Sequence, residues 1–170
     1  MTTITPFLWF DGHLDDAVSA YRSIFADFEL LESSRYPDAI PGVGGQLMSA
    51  TVRLAGTRII LFNGGPTYTL NPAFSLMVLV DDQAELDRLW DALCEGGAPS
   101  QCGWLTDRFG VSWQIVPRQL GELMGSPEPG VAERVTQAML QMAKLDIASL
   151  EAAAQATTTT IHTTEKTHEP

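Results

Sequence analysis

The chain repeats one order of secondary structure, and this repeat restricts the possible folds more than any single motif does. An apolar and aromatic run at residues 4–10 predicts a strand, and apolar residues at helical spacing then predict a helix to about residue 26. Three further strands are predicted at residues 28–36, 46–54 and 57–62. The first half therefore consists of one strand, one helix and three strands.

The second half repeats that order without repeating the letters. A near-continuous apolar strand is predicted at residues 73–80, followed by a helix that Asp81 and Asp82 cap and that Gly96 and Gly97 stop. The last strands lie within the stretch QCGWLTDRFGVSWQIVP, residues 101–117. We therefore expect an α+β fold of two such modules, at about residues 4–66 and 73–117.

A β-hairpin closes the second half. Its turn, Asp-Arg-Phe-Gly at residues 107–110, ends in a glycine that can adopt positive φ. Trp104 and Trp113 lie on the two strands, and Gln114 faces the side opposite to Trp113 because side chains alternate along a strand. An aromatic ring with a few amides on a half-buried face is typical of a small-molecule pocket. The alternative is that either tryptophan belongs to the core.

Helices are predicted after residue 117. Leu120 and Leu123 indicate a short helix, an apolar stripe indicates a longer one over about residues 129–144, and Asp146 would cap a last one through residue 154. These stripes could cover the chain's own sheets or a second subunit, and we expect a homodimer. This helical extension spans residues 118–155, and the polar tail at 156–170 is expected to be disordered.

Charge and composition exclude several partners. The formal net charge is −11, which argues against nucleic acid and anionic membrane surfaces because these need a basic patch. No apolar run reaches the length of a membrane helix, and no signal peptide is visible. The two cysteines, Cys94 and Cys102, are interpreted as reduced thiols. We therefore expect a cytoplasmic protein.

Several motifs together resemble one known family, the PhnB-like branch of the vicinal oxygen chelate superfamily, also labelled 3-demethylubiquinone-9 3-methyltransferase. The superfamily includes glyoxalase I, extradiol dioxygenases, and bleomycin and fosfomycin resistance proteins. The resemblance covers about residues 4–150 and implies paired βαβββ modules in a cupped mixed sheet, with a dimeric assembly. The motifs are ITPFLWFDG, AVSAYRSIF, FNGGP, QCGWLTDRFGVSWQIVP and VTQAMLQMAKLDIASL.

The resemblance extends to metalloenzymes, but this chain departs from their pattern. Those enzymes place His, Glu or Gln ligands on the first and last strands of the modules, whereas His13, His162 and His168 lie on no predicted strand. The amides of Asn63 and Gln114 are poor ligands for a catalytic divalent ion. We expect no metal and no cofactor.

Two other chemistries also lack the residues that they need. A common methyl-donor site requires a glycine-rich turn between a strand and a helix, and no helix is predicted after Gly64 and Gly65. Cys102 has no predicted basic partner other than Arg108, so a small buried hydrophobe is the favoured interpretation. For Asp107, hydrogen bonds to the backbone of its turn are favoured over acid–base catalysis.

A ligand-binding surface is the hypothesis that remains best supported. Aromatic walls with few ionisable groups suit an aromatic or apolar small molecule. A plain loop is the alternative for Asn63 and the two glycines after it. An enzyme of the same superfamily and a non-catalytic dimeric scaffold are the alternative functions. The candidate ligand-binding residues are Trp9, Phe62, Asn63, Gly64, Gly65, Ser75, Trp104, Trp113 and Gln114.

Overall fold

The structure of the chain, a computed structural model, describes residues 2–156. The first module runs in the predicted order, strand, helix and three strands. Its elements are β1 (Phe7–Phe10), α1 (Leu14–Ile24), β2 (Glu29–Arg35), β3 (Leu47–Leu54) and β4 (Thr57–Asn63). In the first sheet the strand order is β1-β4-β3-β2, with β1 parallel to β4 and the other pairs antiparallel. The parallel pair follows from the helical crossover between β1 and the strands after it.

The second module has the same topology but shorter strands at one end of its sheet. Its elements are β5 (Leu76–Val80), α2 (Gln83–Cys94), β6 (Ala98–Pro99), β7 (Trp104–Thr106) and β8 (Ser112–Pro117). The second sheet has the order β5-β8-β7-β6, with β5 parallel to β8. The predicted α+β class and the repeated order of elements are therefore confirmed.

The two module helices begin differently. The side chain of Asp82 accepts a hydrogen bond from the backbone N–H of Glu85 at 2.9 Å, so the predicted cap of α2 is confirmed. At the start of α1 no aspartate takes the cap position. Instead, His13 occupies the cap position with φ of 54° and makes no side-chain capping hydrogen bond. Asp15 and Asp16 lie in the first turn, where negative charge still favours the helix dipole.

One continuous core joins the two modules. Helix α1 packs on the first sheet through Leu14, Ala17 and Val18, while its Tyr21 ring meets the Trp113 ring of the second sheet at 5.6 Å. Phe25, which follows α1, stacks on the same ring at 5.4 Å. Helix α1 packs on the first sheet and α2 packs on the second. The side chains that alternate with the buried ones form a second face on each sheet, which includes Phe7, Trp9 and Phe62 in the first sheet and Met77, Trp104 and Gln114 in the second. We call these two surfaces the open faces.

The extension after residue 117 folds as three helices, α3 (Arg118–Met124), α4 (Val131–Met139) and α5 (Ile147–Gln155). The predicted cap Asp146 is confirmed, because its side chain accepts from the N–H of Ser149 at 2.7 Å. The longer helix was predicted to reach residue 144 and instead ends at Met139. Leu145 lies in the irregular segment between α4 and α5 and is buried in the core.

The chain itself covers the apolar stripes of the extension. Val131, Val135, Leu145 and Leu150 are buried within the described residues. Of the two alternatives for these stripes, the structure shows packing within the chain. The homodimer therefore stays a prediction that rests on the resemblance. Apart from Ala156, the tail that was expected to be disordered lies outside the described residues. No described helix is long and apolar enough to cross a membrane.

Candidate functional site

An aromatic cluster occupies the open face of the first sheet. Trp9 on β1 and Phe62 on β4 are register partners, with ring centroids 5.2 Å apart. Phe7 lies 5.4 Å from Phe62, and Tyr68 lies 5.0 Å from Trp9 in an edge-on arrangement. Phe7 is 55% exposed and Tyr68 is 64% exposed, so the cluster presents apolar ring surface to solvent. Rings in such tilted arrangements form a rigid wall for an apolar molecule.

The two glycines after β4 hold Trp9 in place. The indole N–H of Trp9 donates to the carbonyl of Gly65 at 2.7 Å. A Cβ atom on Gly64 would lie 2.2 Å from the ring of Trp9, so only glycine leaves room for the indole at this position. Gly65 adopts φ of 75°, which other residues rarely adopt. The two glycines are therefore part of the aromatic cluster, because they position its central ring.

Asn63 lies in the same stretch but faces the core. It pairs with Phe10 on the helix-covered side of the sheet and is buried. Its side-chain oxygen Oδ1 accepts from the backbone N–H of Gly12 at 3.0 Å, and its side-chain NH2 group donates to the carbonyl of Leu47 at 3.4 Å. The structure thus places its side chain on the side opposite to the open face, since alternation along β4 separates it from Phe62.

The open face of the second sheet brings together three predicted residues. Trp104 on β7 is the register partner of Gln114 on β8, so both side chains lie on the same face. The amide of Gln114 donates to the hydroxyl of Ser75 at 2.8 Å. Met77 on β5 is the other register partner of Gln114 and is 56% exposed. This face combines one indole, one amide and a hydroxyl with an apolar edge strand.

Trp113 does not join that group. Its ring is 2% exposed, stacks on Phe25 and donates its N–H to a carboxylate oxygen of Asp107 at 2.9 Å. Of the two roles considered for this ring, the structure shows the core role. The correction follows from strand alternation, because Gln114 and Trp113 cannot both face the open side.

Asp107 is the polar centre of the contact between the modules. One oxygen accepts the backbone N–H groups of Phe109 at 2.9 Å and Val111 at 3.0 Å, which confirms the predicted role in the turn. The other oxygen accepts the hydroxyl of Tyr21 at 2.7 Å as well as the indole of Trp113. Burial, and then the charge of Asp107, raise the pKa of Tyr21 well above its usual value. This carboxylate is fully occupied by neutral donors and has a structural role.

The arrangement does not suit a catalytic metal. The described part of the chain has no group of three or more His, Cys, Asp or Glu side chains placed to hold an ion. Gln114 offers only a neutral amide oxygen, and His13 lies at the start of α1 beside Asp16. In the first sheet, Glu29 on β2 pairs with Arg53 on β3. The donors on both open faces therefore do not fit a divalent cation.

The two cysteine thiols lie away from the aromatic cluster. Burial, followed by the nearby charge of Asp91, raises the pKa of Cys94, which disfavours a reactive thiolate. Cys102 donates its S–H to the carbonyl of Met139 at 3.6 Å, in the loop before β7. Neither thiol faces the aromatic cluster.

One large cavity lies away from both open faces. It measures about 640 Å³ and runs between the polar side of α1, at Asp16 and Ser23, and the β7–β8 turn at Arg108. A smaller cavity of about 250 Å³ lies near the apolar edge strand β5 and includes Met77 and Leu79. Neither cavity contains the aromatic cluster, which lies on an open sheet surface.

Two residues of the cluster were missed in the sequence. Phe7 lies two positions before Trp9 on the same strand, so alternation alone places it on the same face and could have identified it. Tyr68 carries no comparable signal, because it lies in a loop and reaches Trp9 only through the tertiary fold.

The sequence profile described as 3-demethylubiquinone-9 3-methyltransferase matches residues 2–116. The chain belongs to this family. Among solved structures, the PhnB protein of Bacillus cereus is 32% identical, with a TM-score of 0.63 over 68% of this chain and 99% of its own. A protein from Pseudomonas aeruginosa is 26% identical, with a TM-score of 0.57 over 69% and 98% of the two chains. The family therefore lies in the PhnB-like branch that the motifs indicated.

A more distant relative shares the fold alone. The fosfomycin resistance protein FosX from Listeria monocytogenes, solved with Mn(II) and sulfate, is 13% identical, with a TM-score of 0.51 over 72% of this chain and 94% of its own. The predicted fold class, of the glyoxalase/bleomycin resistance type, is thus confirmed. A search among curated proteins gives no match. The family profile ends at residue 116, so α3 to α5 lie beyond it.

Proposed function

We propose that this member of the 3-demethylubiquinone-9 3-methyltransferase family binds an aromatic or apolar small molecule without a catalytic metal. The observation that carries the proposal is the exposed aromatic cluster, in which Gly64 and Gly65 hold the ring of Trp9 against Phe62. Exposed aromatic surface on a rigid sheet favours binding of a flat molecule. The open face of the second sheet contributes the indole of Trp104 and the amide and hydroxyl of Gln114 and Ser75.

A second copy of the chain completes the binding site. Within one chain the two open faces point away from the shared core, so neither is closed by the other. Both carry exposed apolar residues at an edge strand, namely Phe7 on β1 and Met77 and Leu79 on β5. Pairing the first open face of one copy with the second open face of its partner buries this surface and encloses a hollow. The protein acts as this homodimer in the cytoplasm, where its two cysteines stay free.

Sedimentation tests the assembly. Leu79→Glu places a charge on the second open face and should convert a dimer to a monomer at micromolar concentration. Leu140→Glu is the matched control, because Leu140 is similarly exposed but lies on the extension. A wild-type monomer at micromolar concentration would contradict the homodimer.

Thermal shifts test the binding function. Flat aromatic molecules such as 2-naphthol should raise the melting temperature, since a ligand at one hundred times its dissociation constant adds about 2.7 kcal/mol of stability. Trp9→Ala and Trp104→Ala should each reduce that shift. Phe28→Ala is the control, because Phe28 packs against Arg22 away from both open faces. If no aromatic molecule gives a shift that depends on these tryptophans, the proposal fails.

The family description supports methyl transfer as a second candidate. The Trp9 ring fills the space beside Gly64 and Gly65, and no helix follows these glycines before β5. They therefore do not form a methyl-donor turn of the common type. Calorimetric titration with S-adenosylmethionine separates the two candidates. A saturable binding heat with S-adenosylmethionine would favour methyl transfer. No such heat, together with binding of aromatic molecules, would favour the small-molecule-binding function.

A further inference from the structure

The loop before β7 depends on a segment far away in the sequence. The backbone N–H of Cys102 donates to the carbonyl of Met142 at 2.7 Å, and the N–H of Gly103 donates to the carbonyl of Ala143 at 2.7 Å. Cys102 and Gly103 adopt positive φ of 58° and 83°, so the loop is held in a conformation that side chains rarely permit. A Cβ on Gly103 would lie 3.0 Å from Leu145, which shows how closely the two segments approach.

The segment that contacts this loop is itself anchored to α2. Gln83 donates its amide to the carbonyl of Leu145 at 3.2 Å and accepts from the N–H of Ile147 at 2.9 Å. Lys144 pairs with Asp87 at 2.8 Å, and this hydrogen-bonded pairing raises the pKa of Lys144 and lowers that of Asp87. We call residues 139–147 the anchoring segment. It lies between α4 and α5, beyond the part of the chain that the family profile matches.

We propose that the anchoring segment positions Trp104 on the second open face, with Gln83 as the positioning residue. Trp104 follows Gly103 directly, and β7 has only three residues with which to hold it. The carbonyl of Gly103 accepts from the N–H of Ile115 on β8, while the N–H of Gly103 donates to the anchoring segment. The extension and the sheet therefore hold the two peptide groups on either side of Gly103. The importance of the anchoring segment for ligand binding rests on the function proposed above, but its role in placing Trp104 does not.

Fluorine NMR of full-length protein labelled with 5-fluorotryptophan tests this placement without a ligand. The four tryptophan signals are assigned with single Trp→Phe variants. Gln83→Leu removes both hydrogen bonds to the anchoring segment and should shift or broaden the Trp104 signal while the Trp9 signal stays in place. Gln46→Leu is the matched control, because its amide contacts only the carbonyl of Gly42 in a loop beside the first sheet. An unmoved Trp104 signal in Gln83→Leu, or an equal change in Gln46→Leu, overturns the proposal.

A second variant covers the case in which Gln83→Leu unfolds and all four signals move together. Lys144→Ala loosens the same segment at its exposed ion pairs and should give a smaller change confined to Trp104. No change there overturns the proposal. If 2-naphthol binds the wild-type protein, Gln83→Leu should also weaken that binding about fivefold or more. If no aromatic molecule binds the wild-type protein but Gln83→Leu still changes the Trp104 signal selectively, the proposed function is contradicted. The positioning role of Gln83 is then still supported.

Discussion

The two modules share one topology but hold their loops in different ways. The first sheet has long inner strands, eight residues in β3 and seven in β4, and places its aromatic residues with contacts from within its own module. The second sheet has two very short strands, β6 with two residues and β7 with three. It relies on α1 at Asp107 and on the extension at Cys102 and Gly103. The comparison shows that two modules with the same order of elements can differ in how far they depend on contacts from the rest of the chain.

The clearest way to break the comparison is to remove the ring that both modules share. Trp113→Ala should lower the free energy of unfolding by about 3–5 kcal/mol, because it leaves a cavity beneath Tyr21 and Phe25. Trp104→Ala removes a half-buried ring from the second open face and should cost about 1 kcal/mol. Urea unfolding compares the two. Equal losses would mean that Trp104 is also a core residue.

The polar link between the modules should give the next largest effect. Asp107→Asn replaces a carboxylate that accepts four hydrogen bonds by an amide with one acceptor oxygen, which leaves buried donors unpaired. We expect a loss of about 1–3 kcal/mol in chemical denaturation. Glu32→Gln is the control, because Glu32 pairs with Arg58 on an exposed strand and such pairs contribute little. A loss no greater than that of the control would contradict the role given to Asp107.

The first module can be tested at the glycine beneath Trp9. Gly64→Ala places a methyl group inside the indole ring, so Trp9 must move and its hydrogen bond to Gly65 must lengthen. Stability should fall by about 1–3 kcal/mol, with a change in tryptophan fluorescence. Gly121→Ala on α3 meets no atom within 4 Å and should be neutral or slightly stabilising. Unchanged fluorescence in Gly64→Ala would show that Trp9 is not held there.

The smallest expected effect concerns pH and sharpens the role of Tyr21. The pKa of Tyr21 is raised in the folded protein, so above the ordinary tyrosine pKa of about 10 the unfolded state loses a proton that the folded state keeps. The stability that Tyr21 contributes is therefore present below about pH 10 and falls as the pH rises further. Tyr21→Phe should remove this part of the alkaline slope in denaturation curves, whereas Tyr68→Phe should retain it. Equal slopes in wild type and Tyr21→Phe would contradict the burial of this hydroxyl.

The sequence was most informative where a structural feature depends on local spacing. The repeat of strands and helices, the caps at Asp82 and Asp146, and the turn at Asp107 depend on residues a few positions apart, and all are confirmed. The helix predicted to reach residue 144 was too long, because the carbonyls of Met142 and Ala143 are used by the distant loop before β7. The helical spacing of apolar residues cannot predict a hydrogen-bond partner that is distant in the sequence.

By itself, then, the sequence determined the α+β class, the two modules, the family and two of the four aromatic residues on the first open face. Only the tertiary structure decided that Asn63 and Trp113 face the core, that Tyr68 joins Trp9, and that the extension holds the loop before Trp104. The physical reason is the range of the interactions concerned. Strand alternation and helical spacing act over a few residues, whereas packing between sheets and helices joins residues that are dozens of positions apart.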